Sequence, residues 1–303
     1  MKILSEGNIP LLRSKVDEKV SLDTYNVDIG NIQDIIEVIN QGGGSADPET
    51  VDKIYAALEE KGYFLPEPDE QTFENILPTI LGEFAPDAPL LVFKAALSAG
   101  NAETLYPVGT ELEDTWANKS NPLIVAQYLD ARNNASYGGA EGALLMRKYV
   151  EPTSQTFGSA GYPSSVIQSY LASSYMEQCS EELKDTISSI NLPYYAMTIQ
   201  TLSNQKWFLM SAYEMCGNGS GSNAWEGIMW DCWKQKTGWS SPNNGANNGR
   251  VMKDRDGTAC RIWLRSWVSA SNNMWALTTA GQIESRTPTF SDGVLPACFI
   301  SKD

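Results

Sequence analysis

All of the chain's nine tryptophans except Trp116 lie between Trp207 and Trp275. Each indole brings about 150–250 Å² of surface that prefers to leave water. A stretch this rich in them folds only as part of a large core, or with some rings turned to a ligand. Trp207 and Trp263 stand in apolar, strand-like runs and are predicted core. Trp225, Trp230, Trp233 and Trp239 stand among Gly, Ser and Asn, where a loop either packs its rings back on to the body or displays them.

The chain can supply such a core: it has 303 residues, 42% of them hydrophobic and 19% charged, enough for more than one structural unit. Acidic residues outnumber basic ones by 37 to 22, a net charge of −15. A surface that negative repels phosphate backbones and anionic headgroups, which argues against nucleic acid as a partner. The start, Met1 to Gly7, lacks the apolar stretch of a secretory signal, and no later run reaches membrane-spanning length. The expectation is a soluble product of the bacterial cytoplasm, without membrane insertion, that reaches any place outside the cell by assembly or lysis.

Cys179, Cys216, Cys232, Cys260 and Cys298 are too few and too widely spaced for a disulfide scaffold, and no Cys-x-x-Cys pair occurs. Free, mostly buried thiols are predicted. Histidine is absent altogether. That removes the usual general base, the Ser-His and Cys-His nucleophile pairs and the commonest transition-metal ligand. Carboxylate or lysine chemistry stays open, but the expectation is a protein without catalysis, cofactor or metal.

Three segments follow from the patterning. In residues 1–45, Leu22, Tyr25, Ile29, Ile32, Ile36 and Ile39 recur three and four apart, a heptad seam that ends at Gly42-Gly43-Gly44-Ser45. It reads either as an amphipathic helix packed on its own domain or as a short homotrimeric coiled coil, since isoleucine at both core positions favours three strands. Residues 46–98 read as a connector. Asp47-Pro48 opens a helix with Val51, Ile54, Tyr55 and Leu58 on one face, a second helix covers 70–77, and Pro66 to Pro89 is proline-rich.

Residues 99–303 change character. Tyr106–Leu112, Pro122–Leu129 and Ala143–Val150 are predicted strands. Val166, Tyr170, Leu171 and Tyr175 have helical spacing, and after a break at Cys179-Ser180-Glu181-Glu182 so do Leu183, Ile187 and Ile190. Strands return at Trp207–Met210 and Arg261–Val268, the latter with Trp and Arg on one face and Ile262, Leu264 and Val268 on the other. Asp256-Gly257 and Ala280-Gly281 are hairpin turns, and Val294–Ile300 closes the chain. Strands, two helices and a strand-and-loop half make an α+β domain.

Several landmarks recur in this order: Val108-Gly109, the helix Ser165–Tyr175 with Cys179 to Leu183 after it, Trp207 to Glu214, Trp263-Leu264-Arg265-Ser266, and Gly293-Val294-Leu295-Pro296-Ala297. Over about residues 105–303 they resemble a domain family of uncharacterised function that recurs in phage tail and prophage proteins and in bacterial surface proteins, and whose fold is similar to the C-type lectin. The N-terminal helices and Asn121–Leu129 are also similar to prophage structural proteins. The family's closing motif usually has Arg where this chain has Leu295, which implies loss of a salt bridge found in relatives. The resemblance implies a C-type-lectin-like domain, preceded by N-terminal helices, that presents long loops for binding. It implies trimers, and it carries over no catalytic residue.

The candidate ligand-binding patch combines flat rings with amide donors and acceptors, as a sugar or protein surface needs. Trp230, Trp233 and Trp239 supply rings; Asn243, Asn244, Asn247, Asn248 and Arg250 supply polar groups. Trp267, Asn272, Asn273 and Trp275, from the neighbouring hairpin, would extend it. The Asn-Gly run 243–249 reads equally as tight turns, because both residues tolerate positive φ. Gly217 to Ser222 lacks the lysine of a phosphate loop, and Asp254-Arg255-Asp256-Gly257 lacks the ligands of a calcium loop and reads as a turn. Glu111, Glu113 and Asp114 could perform glycoside hydrolysis only if they shared a site, and a solvated acidic turn is the plainer reading.

The functional expectation is a virion or phage-tail-like particle component of tail-fibre, receptor-binding type. It would bind a host-surface glycan or protein through its loops and join other particle proteins through its N-terminal region. A head fibre, decoration or baseplate protein with a purely structural role is the alternative. A carboxylate-based, carbohydrate-active enzyme is a more distant third.

Overall fold

The computed structural model describes residues 89–151, 154–158, 161–196, 198–217, 226–234, 248–268 and 271–303, all within the unit Gln71–Asp303. The expected seam Leu22, Tyr25, Ile29, Ile32, Ile36 and Ile39, and the helices expected in 46–77, lie outside the described residues. Among the described residues no helix is long and apolar enough to cross a membrane.

The first described element corrects an expectation. The helix α1 (Pro89–Ser98) falls in the stretch read as a connector, yet Leu90, Phe93, Ala96 and Leu97 are buried in the same core as the later strands. Proline suits the first turn because its missing N–H has no helical partner there. The next two N–H groups, of Leu90 and Leu91, donate to Glu182 Oε1 at 2.7 and 3.0 Å. A carboxylate brought from far along the chain thus caps the helix. The packed domain therefore begins by residue 89, not near 98. The turn α2 (Ala102–Leu105) follows.

A five-stranded antiparallel sheet forms the centre, in the order β1 (Glu111–Leu112), β4 (Leu123–Leu129), β5 (Gly142–Arg147), β16 (Pro296–Ser301) and β9 (Trp207–Leu209). The strand expected over Tyr106–Leu112 shrinks to its last two residues. β5 and the apolar part of β16 are buried on both faces, which explains their unbroken apolar sequences. At Gly142 the chains approach so closely that a Cβ would stand 2.1 Å from the Ile300 carbonyl oxygen. Ser98 Oγ donates to the Lys302 carbonyl at 2.7 Å, so the start and the end of the described domain meet. Leu295, where the family's arginine was expected, is a buried core side chain.

Two helices cover this sheet. In α3 (Val166–Tyr170), continued by a π-helical turn Leu171–Tyr175, Ser165 caps by accepting from the Gln168 N–H. Its inward face is Ile167, Leu171 and Tyr175, while Val166 is exposed. α4 (Glu181–Thr186) is capped by Ser180. It stops short of Ile187 and Ile190 because the Ser188 N–H donates instead to the Phe299 carbonyl at 2.8 Å, turning the chain into a strand.

That strand, β7 (Ile190–Ala196), pairs with β8 (Thr198–Gln205) as a separate hairpin. A three-stranded sheet joins β12 (Ile262–Trp267), β13 (Met274–Leu277) and β14 (Ile283–Arg286). Short pairs complete the fold: β2 (Thr115–Trp116) with β3 (Lys119–Ser120), β6 (Gln155–Thr156) with β15 (Ser291–Asp292), and β10 (Met252–Lys253) with β11 (Ala259–Cys260). The Asp256-Gly257 and Ala280-Gly281 turns sit where expected, with Gly257 and Gly281 at φ +82° and +77°. Asp254 Oδ1 accepts the N–H groups of Asp256 and Thr258, so the segment read as a turn is one.

One ion pair ties these layers together. Helix α5 (Ala212–Cys216) opens with a capping box, in which Ser211 Oγ accepts the Glu214 N–H and Glu214 Oε2 accepts the Ser211 N–H. The same Glu214 carboxylate receives both arms of Arg265 from β12, at 2.5 and 2.7 Å, and the Tyr137 hydroxyl at 2.8 Å. Arg265 also donates to the Leu209 carbonyl at 2.8 Å. Both side chains are wholly buried. Removing one partner of such a pair strands the other charge, at a cost of roughly 3–5 kcal/mol. Arg265→Met is accordingly expected to lower unfolding free energy by about that much in a urea titration. Arg261→Met, whose pair with Glu284 is partly exposed, should change it by less than about 1 kcal/mol.

Candidate functional site

Two segments rich in Gly, Ser and Asn, 218–225 and 235–247, interrupt the described chain between β9 and β10. The residues on either side of them, where each segment is rooted in the domain, are described. Gly217 ends α5 in the left-handed conformation, φ +66°, and an added Cβ there would meet Met229 Sδ at 2.4 Å. On the other side, Glu226 is clamped from three directions. Its carboxylate accepts the Tyr195 N–H at 2.9 Å and the Ser266 hydroxyl, and its carbonyl accepts from Ser211 Oγ at 2.7 Å. Gly227 sits at φ +102°, where a Cβ would press on the Tyr137 hydroxyl and Glu214 Oε1.

The second root holds three residues expected on an exposed patch, and the structure corrects that expectation. Trp230 is 0%, Trp233 1% and Arg250 1% exposed. Trp230 Nε1 donates to the Tyr137 hydroxyl that also serves Glu214, so its indole belongs to the central network. Helix α6 (Asp231–Lys234) holds Trp233 inward, and the Asp231 N–H donates to Gln127 Oε1 at 2.8 Å. Arg250 ends a 3₁₀ turn, Asn248–Arg250, and its Nη1 donates to Cys216 Sγ at 2.8 Å. Glycine and asparagine neighbours suggested display; among the described residues Gly227, at φ +102°, instead supplies a bend just before these inward side chains. Trp239, Asn243, Asn244 and Asn247 lie outside the described residues, as does the side chain of Asn248.

The neighbouring hairpin leaves its candidates near the surface but divides them. Trp267 is the ladder partner of Met274, and successive residues of a strand face opposite ways. Trp275 therefore lies on the other face of the sheet from Trp267, and the two half-buried rings do not share one platform. Asn272 is exposed between them, whereas the Asn273 amide donates to Ser285 Oγ at 3.0 Å.

Of the acidic residues weighed for hydrolysis, Glu113 is exposed and the other two are committed to separate partners. Glu111 pairs with Lys148 at 2.7 Å near the surface. Asp114 is buried against Arg147 at 2.5 Å and accepts from Ser180 Oγ at 2.5 Å. Arg147 in turn donates to the Tyr175 hydroxyl and the Asn121 carbonyl, and lies over the Trp207 ring. Among the described residues no three Cys, Asp or Glu side chains are grouped to hold a metal. None of the five cysteines forms a disulfide; four are buried and Cys260 is partly so. Burial pushes the Cys179 and Cys216 thiols up to about 11, which leaves them protonated at neutral pH.

Glu151, which no sequence signal singled out, is the unusual carboxyl. It is 2% exposed, and among the described residues neither of its carboxyl oxygens has a hydrogen-bond partner. Burial pushes its pKa up to about 8, against the opposing pull of Arg147 and Arg255. Glu226 is likewise pushed up by burial, to about 7, with Arg265 and the bonds from Ser266 and Tyr195 acting the other way.

The fold and this geometry define an α+β domain whose strongest electrostatic contacts are internal and hold the residues that flank 218–225 and 235–247. The chain belongs to the family described as Domain of unknown function (DUF6273), whose family model matches residues 140–302. The matched span contains Arg147, Glu151, Glu214, Glu226 and Arg265, while α1 and the Asp114 partner of Arg147 lie before it. Comparison with curated proteins and with solved structures gives no match.

The buried glutamates set a pH dependence. An unperturbed glutamate ionises near 4.5, whereas Glu151 and Glu226 in the fold keep their protons to about 8 and about 7. Between those values the native state holds more protons than the unfolded one, so stability falls as pH rises. Their contribution is complete below about 4.5 and lost above about 8. Glu151→Gln, compared with the parent by urea unfolding at pH 5 and pH 8.5, is expected to gain on it by about 1 kcal/mol or more at the higher pH. A constant difference across that range would show that Glu151 ionises normally.

Proposed function

We propose that this chain is a component of a phage or phage-tail-like particle, of tail-fibre, receptor-binding type. In this reading its α+β domain is C-type-lectin-like and binds a host-surface glycan or protein through its loops. The N-terminal segment joins it, as a homotrimer, to other particle proteins.

The observation that carries the reading is where the buried charge is placed. Arg265, Glu214 and Glu226 are fully buried and, with Ser211 and Tyr137, hold the residues from which 218–225 departs and returns. Trp230, Trp233 and Arg250 do the same for 235–247. A binding site carried on loops needs such a rigid support, because contacts made by a loosely held loop lose affinity to the cost of ordering it. The contact between Ser98 and Lys302 supports the same reading. A domain whose two ends meet can hang from one attachment and leave its interior excursions free. Weak single contacts would then be strengthened by repetition in a trimer.

The full-length protein, applied to a glycan array and to a panel of intact bacterial strains, is expected to be retained by a subset of each. Asn272→Ala combined with Asn247→Ala should weaken retention about tenfold, equivalent to about 1.4 kcal/mol, without moving the thermal midpoint. Absence of retention on every strain and glycan, together with a position in the inner lattice of a particle, would favour the purely structural alternative.

A further inference from the structure

The β7–β8 hairpin is built asymmetrically. β7 is anchored on both edges. One edge pairs with β8, and the other is closed by side chains, since the Tyr195 N–H donates to Glu226 Oε1 and the Pro193 carbonyl accepts from Arg265. Pro193 has no N–H, and on that side none is required. β8 pairs with β7 and, among the described residues, with no other strand.

The register tells which groups β8 leaves open. Pro193 and Tyr195 direct their backbone groups away from β8, so their partners Thr201 and Ile199 direct theirs away from β7. The outer edge of β8 therefore offers the N–H and C=O groups of Ile199 and Thr201 to solvent. The side chains follow suit. Thr198, Ile199, Gln200, Thr201, Ser203 and Asn204 are exposed, with Ile199 at 57%.

Soluble proteins blunt such an edge with lysine, proline, a bulge or brevity. β8 runs for eight residues, and from Thr186 to Gln205 the chain carries no charged side chain. Its only irregularity against β7 falls between Ile190 and Leu192, away from Ile199 and Thr201. In a chain of net charge −15, two copies repel each other wherever acidic surfaces meet, and an uncharged edge is where they can approach. A basic partner would be drawn to the acidic surface elsewhere. An edge strand is moreover its own complement, because a two-fold axis sets it antiparallel to an identical copy without any second sequence being needed.

We propose that the outer edge of β8 is a self-association surface, on which a second copy of this chain pairs its own β8 antiparallel across a two-fold axis. The inference stands apart from the receptor-binding reading and from the N-terminal seam. If the seam assembles trimers, edge pairing doubles them; if it does not, the pair is a dimer.

Light scattering on the size-exclusion eluate and native mass spectrometry of the full chain, at about 1–100 µM, test it. The expected species is an even-numbered assembly. Thr201→Pro removes an outward N–H without touching the β7 ladder, and Thr201→Lys and Gln200→Lys each place like charges across the axis. All three should halve the mass or weaken association at least tenfold, with far-UV circular dichroism unchanged. Amides of Ile199 and Thr201 should also exchange more slowly as concentration rises. A monomer or an odd-numbered assembly over the whole range would overturn the proposal, and so would an even assembly that survives the two lysine variants.

Discussion

A guanidinium buried in protein is costly unless every one of its donors is answered, and Arg265 meets that condition with groups from four directions. The Glu214 carboxylate takes both arms, and carbonyls of Leu209, Pro193 and Glu226 take the rest. Those partners come from the edge of the central sheet, the β7 strand, a helix start and the residue that follows 218–225. None of these segments can move alone without leaving part of the charge unanswered. The capping box at Ser211 and the Tyr137 hydroxyl saturate what remains of the Glu214 carboxylate. The three-stranded sheet, the hairpin and α5 are thereby held as one frame on the central sheet.

A second buried pair, Arg147 with Asp114, plays the same part elsewhere on that sheet. Arg147 joins β5 to Asp114, and through the Ser180 hydroxyl to the cap of α4. The Tyr175 hydroxyl joins it to the π-helical turn, whose ring stands against Trp116 and Trp207. Both networks use arginine, whose planar fork can meet two or more fixed acceptors at once, where lysine offers only a point charge. The aromatic mass of the chain follows them. Trp207 lies beneath Arg147 and Trp230 bonds to the Tyr137 hydroxyl, while Trp263 packs on Phe157 and donates to the Gln155 carbonyl.

Much of the frame was legible in the sequence and most of the candidate site was not, for physical reasons. Ser165 and Ser180 stand before apolar-periodic runs, so their caps could be read. Asp-Gly and Ala-Gly mark hairpins because glycine accepts the left-handed turn. The strands around 123–129, 142–147 and 296–301 announce themselves as unbroken apolar runs. By contrast, α1 is too short and too evenly apolar to be told from a patch, and its cap comes from Glu182, far along the chain. Ser211-x-x-Glu214 is a readable capping signature, but nothing local shows that its glutamate also receives Arg265. Trp230 and Trp233 are surrounded by loop-forming residues, and only the position of Tyr137 and Gln127 decides that they point inward. Glu151 follows an apolar strand and looks like an ordinary surface acid until the covering segments are placed.

The Arg265–Glu214 pair makes the residues that flank 218–225 part of the most stable unit of the domain. Native-state hydrogen exchange with increasing denaturant tests it directly. The account predicts that the backbone amides of Glu214, Trp230 and Arg265, bonded respectively to Ser211 Oγ and to the carbonyls of Glu214 and Met210, exchange only through global unfolding, alongside those of the central sheet. Exchange of these three amides through a local opening insensitive to denaturant, while the sheet stays protected, would contradict it.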